Sequence, residues 1–180
     1  MSTAPPLLIT IDSNVLVHVF NPSVNTDRHI EVLLTYFRTN EYRACVDAQV
    51  IRTEYQGVVQ KWMRNRDQDG NEVILVRHWL DPDNQHPVAV DRTGRLYRVV
   101  EQIIKRRVKP KNLKDSDWRR DCIFVTVACM ALCKLVTNDD GHVLSSRVPL
   151  LKEVPKVHDD WTENIDFLSS VQAYAHYCTP

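Results

Sequence analysis

The stretch that decides the fold runs from Asp117 to Asp140 and reads DWRRDCIFVTVACMALCKLVTNDD. Apolar residues recur at helical spacing in its first half and cover most of the remaining helix surface, so we predict a buried helix. Lys134 interrupts the apolar run, and the Leu-Val-Thr that follows is typical of a short buried strand. Acids stand near the start of the helix and directly after the strand. The pattern predicts a helix–strand unit of an open α/β sheet, whose carboxyl edge is where ligands bind.

Length and composition fit one α/β domain, 1–180, with a substantial core. The chain has 180 residues, 43% of them hydrophobic, and a formal net charge of zero. Because no signal peptide and no apolar run of ~18 residues is visible, we expect a cytoplasmic protein without a membrane span. None of the five cysteines forms a CxxC pair. Cys129 and Cys133, one helical turn apart, are expected to be small core residues.

Asp12 marks the end of the first predicted strand. The apolar run from Leu7 to Ile11 is expected to be the first and central strand of a parallel sheet. The segment from Val15 to Phe20 is expected to form a short apolar helix. Asp12 therefore stands at a strand-to-helix junction, and Asp139 occupies a similar place after the later strand.

Glu54 lies on the apolar face of a predicted helix. A helix is expected from Asp27 to Thr39 and a strand from Ala44 to Val46, after which Asp47 is a good N-cap for the next helix. In that helix Glu54 falls between two apolar residues, each one turn away. An acid in such a position requires a partner or a function.

The segment at about 66–115 is an elaborated insertion. Glu72 to Leu80 fits either a helix or a strand, and Asp81 to Pro87 is expected to be a loop. Leu96 to Ile104 predicts an amphipathic helix with a basic outer face. Between Arg92 and Lys114, lysine and arginine predominate and Glu101 is the single acid.

The end of the chain is expected to hold one more strand and one more helix. Ser116 is a plausible N-cap for the central helix, and a last strand is expected within Leu150 to Val157. Asp160 is expected to cap a final amphipathic helix. Its apolar face would consist of Ile165, Leu168, Val171 and Tyr174.

Four carboxylates in apolar settings indicate a metal site: Asp12, Glu54, Asp121 and Asp139. Isolated buried acids are costly unless they are paired, protonated or bound to a cation. Hard oxygen ligands suit Mg²⁺ or Mn²⁺, and such sites hydrolyse phosphodiesters by activating water.

Each of these acids also has an ordinary structural interpretation. Asp12 can cap the helix that follows it, and Asp139 can close a turn. Asp121 can favour the positive end of its helix, and Glu54 can pair with an arginine. Which interpretation holds depends on strand order, because strand order decides whether the four acids converge.

With these residues placed, the chain resembles the PIN-domain nucleases, the family that includes VapC-type toxins. The matching motifs are LLITIDSNVLV, CVDAQVIRTEYQGVV, DCIFVTVACMA and LVTNDD, which together cover most of 7–62 and 117–157. The resemblance implies a three-layer α/β/α sandwich over a mostly parallel central sheet. It also implies that Asp12, Glu54, Asp121 and Asp139 are catalytic metal ligands, assisted by Asn14 and Thr137. Asp117 and Asp140 are extra acids of open role.

The leading functional hypothesis is an endoribonuclease that depends on Mg²⁺ or Mn²⁺ and leaves 5′-phosphate and 3′-hydroxyl ends, in a toxin, defence or RNA-processing setting. Its substrate would be RNA, and a protein antitoxin or regulator and a homodimer stay open as partners. RNA would contact the basic helix, unless that helix is simply a solvated face. The RNA-binding residues would be Lys105, Arg106, Arg107 and Lys109.

Two other hypotheses compete with the nuclease. One is a non-catalytic PIN-like scaffold that binds RNA or protein. The other is a phosphatase of the haloacid dehalogenase type, which Asn14 disfavours because that chemistry requires Asp-x-Asp. Trp62, Trp79 and Tyr97 are candidates for base stacking, although each fits a core position better.

Overall fold

Five parallel strands form the centre of the protein in a computed structural model that describes residues 6–21, 23, 28–64, 66–112 and 117–179. The strands are β1 (Leu8–Ile11), β2 (Arg43–Asp47), β3 (Gln85–Val88), β4 (Lys134–Val136) and β5 (Phe167–Leu168). Their order across the sheet is β3-β2-β1-β4-β5, and every neighbouring pair is parallel. The predicted central position of the first strand is confirmed.

Helices cover both faces of this sheet. They are α1 (Ser13–His18), α2 (His29–Thr39), α3 (Val50–Val58), α4 (Asn71–Leu80), α5 (Arg95–Lys105), α6 (Asp117–Met130), α7 (Arg147–Glu153) and α8 (Ser170–Cys178). α2 packs against α4 and α8, whereas α6 packs against α3 and α5 and crosses β1, β2 and β4. The predicted three-layer α/β/α sandwich is confirmed.

The order of the strands creates a crevice beside β1. The chain moves outward from β1 to β2 and β3, then returns to β4 on the other side and ends at β5. Connections after β1 and β4 therefore leave the sheet in opposite directions. In open parallel sheets this reversal point, at the carboxyl edge, is where ligands bind.

The helix α6 is the buried element that the opening stretch predicts. Apolar side chains from Trp118 to Cys129 are almost completely buried, whereas Met130 at the last position is 41% exposed. Burying a large apolar side chain stabilises a fold by about 1.5–3 kcal/mol, so α6 is a major source of stability. Cys129 and Cys133 are buried and unpaired, as expected of small core residues.

The segment 66–115 contributes to the fold more than the sequence predicts. Residues 71–80 are helical, and α5 is the predicted amphipathic helix. The loop prediction for 81–87 is wrong, because a short 3₁₀ turn leads there into β3. Pro87 argues against an inner strand, but β3 is an edge strand, where a missing N–H is tolerated.

The predicted position of the last strand and the predicted start of the last helix are both wrong. Residues from Arg147 to Glu153 form α7 and not a strand, because a short apolar run fits either structure. The last strand, β5, has only two residues. The last helix begins at Ser170, and its N-cap is Ser169, in a capping box with Gln172.

The residues predicted to cap helices are found in other roles or lie outside the described residues. Asp160 lies in a turn before β5 and caps no helix, and Ile165 and Leu168 precede α8. The predicted N-cap Ser116 lies outside the described residues, as does Asp27 at the start of the helix now seen from His29. The N-cap of α3 is Gln49 and not the predicted Asp47, whose carboxylate accepts a 3.0 Å hydrogen bond from the backbone N–H of Gln49 in the turn before the helix. Within the described ranges, no helix has the length and apolarity needed to cross a lipid bilayer.

Candidate active site

The carboxyl edge of the sheet holds an acidic cavity of about 500 Å³ between β1 and β4. Its lining consists of Asp12, Ser13, Asn14, His18, Glu54, Asp117, Arg120, Asp121, Phe124, Asn138, Asp139 and His142. All four predicted carboxylates are therefore brought together, from four different elements or loops. We call this space the acidic cavity.

Asp12 is the most enclosed carboxylate of the acidic cavity. It follows β1 directly and is 5% exposed. Its Oδ2 accepts hydrogen bonds from the Thr137 hydroxyl at 2.7 Å and from Nδ2 of Asn14 at 3.0 Å, while Oδ1 accepts from the Asn14 backbone N–H at 3.2 Å. Burial, with smaller contributions from the charges of Asp139 and Glu54, raises its pKa to about 6 despite these donors.

Asp121, Asp139 and His142 form the tightest group of potential metal ligands. One ligand atom from each lies within 4.8 Å of the other two. Nδ1 of His142 is 2.8 Å from Oδ2 of Asp121 and 3.8 Å from Oδ2 of Asp139. Burial, followed by repulsion from Asp139, raises the pKa of Asp121 to about 7. A divalent cation among these groups would relieve that repulsion.

Asp139 also holds the loop after β4 in place. Its carboxylate accepts hydrogen bonds from the backbone N–H groups of Gly141, His142 and Val143, at 3.1, 3.2 and 2.9 Å. This turn carries the His142 ring back toward Asp121. The turn-closing interpretation of Asp139 is therefore correct, and the same turn builds the ligand group.

Glu54 forms an ion pair with an arginine side chain in the acidic cavity. The Arg120 guanidinium forms ion pairs with Glu54 and with Asp117, and Ser13 donates a hydrogen bond of 3.3 Å to Glu54. The buried Tyr55 fixes α3 here, because its hydroxyl donates a 2.6 Å hydrogen bond to the carbonyl oxygen of Ile11. Pairing of Glu54 with an arginine was one of the structural alternatives, and it is the contact observed.

Asn14, Thr137 and Asn138 join the ends of β1 and β4. Asn14 donates to Asp12 and accepts a 3.1 Å hydrogen bond from the backbone N–H of Asn138. Thr137 donates to Asp12 and accepts at 3.0 Å from the backbone N–H of Asp139. These bonds hold the two strand ends in one arrangement. Asn14 and Thr137 thus contact the acids that they were predicted to assist.

The remaining predicted site residues lie elsewhere. Asp140 is exposed and does not line the acidic cavity. The four basic residues expected to bind RNA lie at the end of α5 and just after it, and they are also absent from the lining; they are Lys105, Arg106, Arg107 and Lys109. α5 packs against α6, and Lys105 lies ~12 Å along α5 from Tyr97 near its start, because a helix rises ~1.5 Å per residue.

Two cavity residues with clear chemistry, His142 and Arg120, are absent from the sequence predictions. His142 follows Asp139 by three residues, and its spacing within one tight turn was a usable signal. Arg120 follows Asp117 by three residues on α6, so a helical projection places it beside that acid. These spacings are weak signals, because a single histidine or arginine near acids occurs in many sequences without a metal or phosphate site.

Comparison with known proteins leaves the acidic cavity to be interpreted from its own chemistry. No protein-family model, no curated protein and no solved structure matches this chain.

Proposed function

We propose that this protein is a metal-dependent endoribonuclease of the PIN type, which hydrolyses phosphodiester bonds of single-stranded RNA. The observation that carries the proposal is the convergence of Asp12, Asp121 and Asp139 with His142 at the reversal point of a parallel sheet. Parallel sheets place their ligand sites there, and clustered carboxylates with little access to water are suited to a cation and a phosphate.

The donor set fits a divalent metal. Asp121, Asp139 and His142 would hold the ion, with Asp12 beside them and Glu54 available after rearrangement of its ion pair with Arg120. Burial raises the pKa values of Asp12 and Asp121, and the charge of Asp139 raises both further; a bound Mg²⁺ or Mn²⁺ would stabilise the ionised carboxylates and remove the repulsion between them. When bound, either ion supplies an activated water and a positive charge against the phosphate.

The remaining cavity residues orient the reacting groups. Thr137 and Asn14 fix both oxygens of Asp12. Arg120 presents a planar guanidinium on the cavity wall. We assign to it a contact with the scissile phosphate, because arginine binds phosphate oxygens through two parallel donors.

The ion pairs in the acidic cavity favour one alternative, a non-catalytic scaffold. Arg120 neutralises part of the charge of Glu54 and Asp117, and His142 is bonded to Asp121. These contacts lower the need for a metal. A scaffold would bind RNA or a protein without cleaving RNA, so cleavage assays separate the two functions.

The test is cleavage of end-labelled single-stranded RNA with Mn²⁺, with Mg²⁺ and with EDTA. We expect cleavage with either metal, none with EDTA, and products with 5′-phosphate and 3′-hydroxyl ends. Asp121→Asn should abolish cleavage while RNA binding is retained, because it removes a metal ligand. The matched control is Asp159→Asn, which removes an exposed acid outside the acidic cavity. Equal cleavage by Asp121→Asn and the parent protein would refute the nuclease.

A further inference from the structure

We infer that a groove along α3 and the π-helical turn Val59–Met63 holds the RNA segment next to the cleavage site, with one base stacked on Trp62. This inference rests on the proposed nuclease function and deepens it by locating the path of the substrate. We call this space the lateral groove. It replaces the end of α5 as the expected RNA-binding surface, because the α5 residues do not line the acidic cavity.

The lateral groove begins where the acidic cavity ends. It has a volume of about 370 Å³ and shares Ser13, Glu54 and Arg120 with the acidic cavity. Beyond these shared residues its wall continues along one side of α3 to Trp62. A strand with its phosphodiester at the carboxylates therefore has a continuous channel for the neighbouring nucleotide.

Trp62 differs from the two large tryptophans of the core. Trp62 is 41% exposed, whereas Trp79 and Trp118 are 0% and 2% exposed. An exposed tryptophan in a groove wall offers a flat face for a base, and stacking accepts every base. At ~1.5 Å per residue, Trp62 lies ~12 Å along the helix axis from Glu54.

The charge along this path changes from acidic to basic. Lys61 lines the lateral groove, and Arg64 lines a cavity of about 800 Å³ that shares Gln60 with it. The side chains of Lys61 and Arg64 make no ion pair or hydrogen bond with any residue in the described ranges. Arg66 and Arg77 also line the larger cavity, whereas Asp81 is the one acid in its described lining. This gradient places metal ligands at the scissile phosphate and cations at the phosphates beyond it.

Gly57 keeps the lateral groove open. It lines the groove, and a Cβ built at this position meets no atom within 4 Å. Glycine in a helix interior is unfavourable relative to alanine, so an open face here needs another reason. The π-helical turn that follows is a helix irregularity that often occurs at functional sites. A nucleotide bound in the groove would account for both the glycine at position 57 and the π-helical turn.

The experiment measures binding of a fluorescein-labelled single-stranded RNA in EDTA, where no cleavage occurs, by polarisation over a salt series. Trp62→Ala should weaken binding about 5- to 150-fold, because one stacked base is lost, and Trp62→Phe should retain most of the affinity. The control is Met130→Ala, which truncates a side chain of a residue that is also 41% exposed but lies at the end of α6. It should bind as the parent does.

Two further variants test the path without removing an aromatic ring. Gly57→Glu should block the groove and repel RNA, and Gly57→Ala, which adds one methyl group where no other atom lies within 4 Å, should weaken binding far less. Replacing Lys61 and Arg64 together by glutamine should lower the salt slope by ~1.4, because each phosphate contact to a single strand contributes ~0.7.

The outcomes separate the groove from the nuclease. If Trp62→Ala and Gly57→Glu bind RNA as the parent does while the parent cleaves RNA, the RNA-binding role of the lateral groove is refuted and the nuclease function stands. If the variants lose binding but the parent never cleaves, the groove stands and the nuclease is refuted. Loss of affinity only after charge reversal at Lys105, Arg106 and Arg107, or no RNA binding at all by the parent, also overturns the groove.

Discussion

Thr137 donates a 2.7 Å hydrogen bond to Oδ2 of Asp12, although 125 residues separate them in the sequence. The bond crosses between the ends of β1 and β4, which are neighbours only because the chain returns to the centre of the sheet. The same hydroxyl oxygen accepts from the backbone N–H of Asp139. One buried threonine thus ties together two of the acids in the acidic cavity.

The first prediction concerns this hydroxyl. Thr137→Val keeps the shape of the side chain but removes the shortest hydrogen bond to Asp12 and leaves the Asp139 N–H without its acceptor. We expect the free energy of unfolding to fall by about 1–3 kcal/mol, which is typical of an unsatisfied buried polar group. Urea unfolding measures the effect. The control is Thr10→Val, also fully buried, whose hydroxyl lies 3.4 Å from the sulfur of Cys133 and bonds to no carboxylate. An equal loss in both variants would contradict the special role of Thr137.

The second prediction is a pH dependence of the metal-free protein. The pKa values of Asp12 and Asp121 are raised to about 6 and about 7, from 3.8. The folded state therefore binds these protons more tightly than the unfolded state does. Their stabilising effect is complete below pH 3.8 and is lost as the pH rises through 6 and 7. Between pH 5 and 8 in EDTA, we expect a loss on the order of 4 kcal/mol.

Thermal unfolding across this pH range, with and without Mn²⁺, provides the measurement. Mn²⁺ should remove most of the loss at pH 8, because bound metal stabilises the ionised carboxylates. Asp121→Asn should show a flatter profile than the parent, and this comparison cancels the opposite contribution of His18, whose pKa is lowered by burial. Identical slopes for the two proteins would contradict the assignment.

The sequence predicts the elements around the acidic cavity well because their signals are local. β1, α6 and β4 each have an apolar run long enough to identify, and each is followed or begun by an acid. Their convergence has no local signal. It results from strand order, which depends on how the connections wind around the sheet.

The failures near the end of the chain have a different cause. β5 has two residues, too few to show a period, so the apolar run that became α7 was the stronger candidate for a strand. The start of α8 did carry a signal, because Ser169 and Gln172 have the spacing of a capping box. An apparent apolar repeat that includes Val171, which is 61% exposed, outweighed it.

The third prediction tests a strained turn away from the acidic cavity. α2 ends in a Schellman motif, in which the Tyr42 N–H bonds to the Phe37 carbonyl and the Glu41 N–H to the Arg38 carbonyl. Glu41 has φ 57° there, in the left-handed region that favours glycine. Glu41→Gly should raise the free energy of unfolding by roughly 0.5–1 kcal/mol, and Glu41→Ala should not. Urea unfolding of the two variants checks this, and destabilisation by glycine would contradict it.

The last prediction concerns Arg120, which holds Glu54 and Asp117 in ion pairs. Arg120→Gln removes a positive charge from the acidic cavity, so we expect Mn²⁺ to bind roughly 5- to 50-fold more tightly by calorimetry. Cleavage should nevertheless become slower, because the proposed phosphate contact is lost. The matched control is Arg119→Gln: Arg119 lies 4.9 Å from the centre of the Trp118 ring and does not line the acidic cavity. It should change neither property. If Arg120→Gln left the Mn²⁺ affinity unchanged, the metal would bind away from Glu54 and Arg120; if it left cleavage unchanged, Arg120 would have no contact with the phosphate.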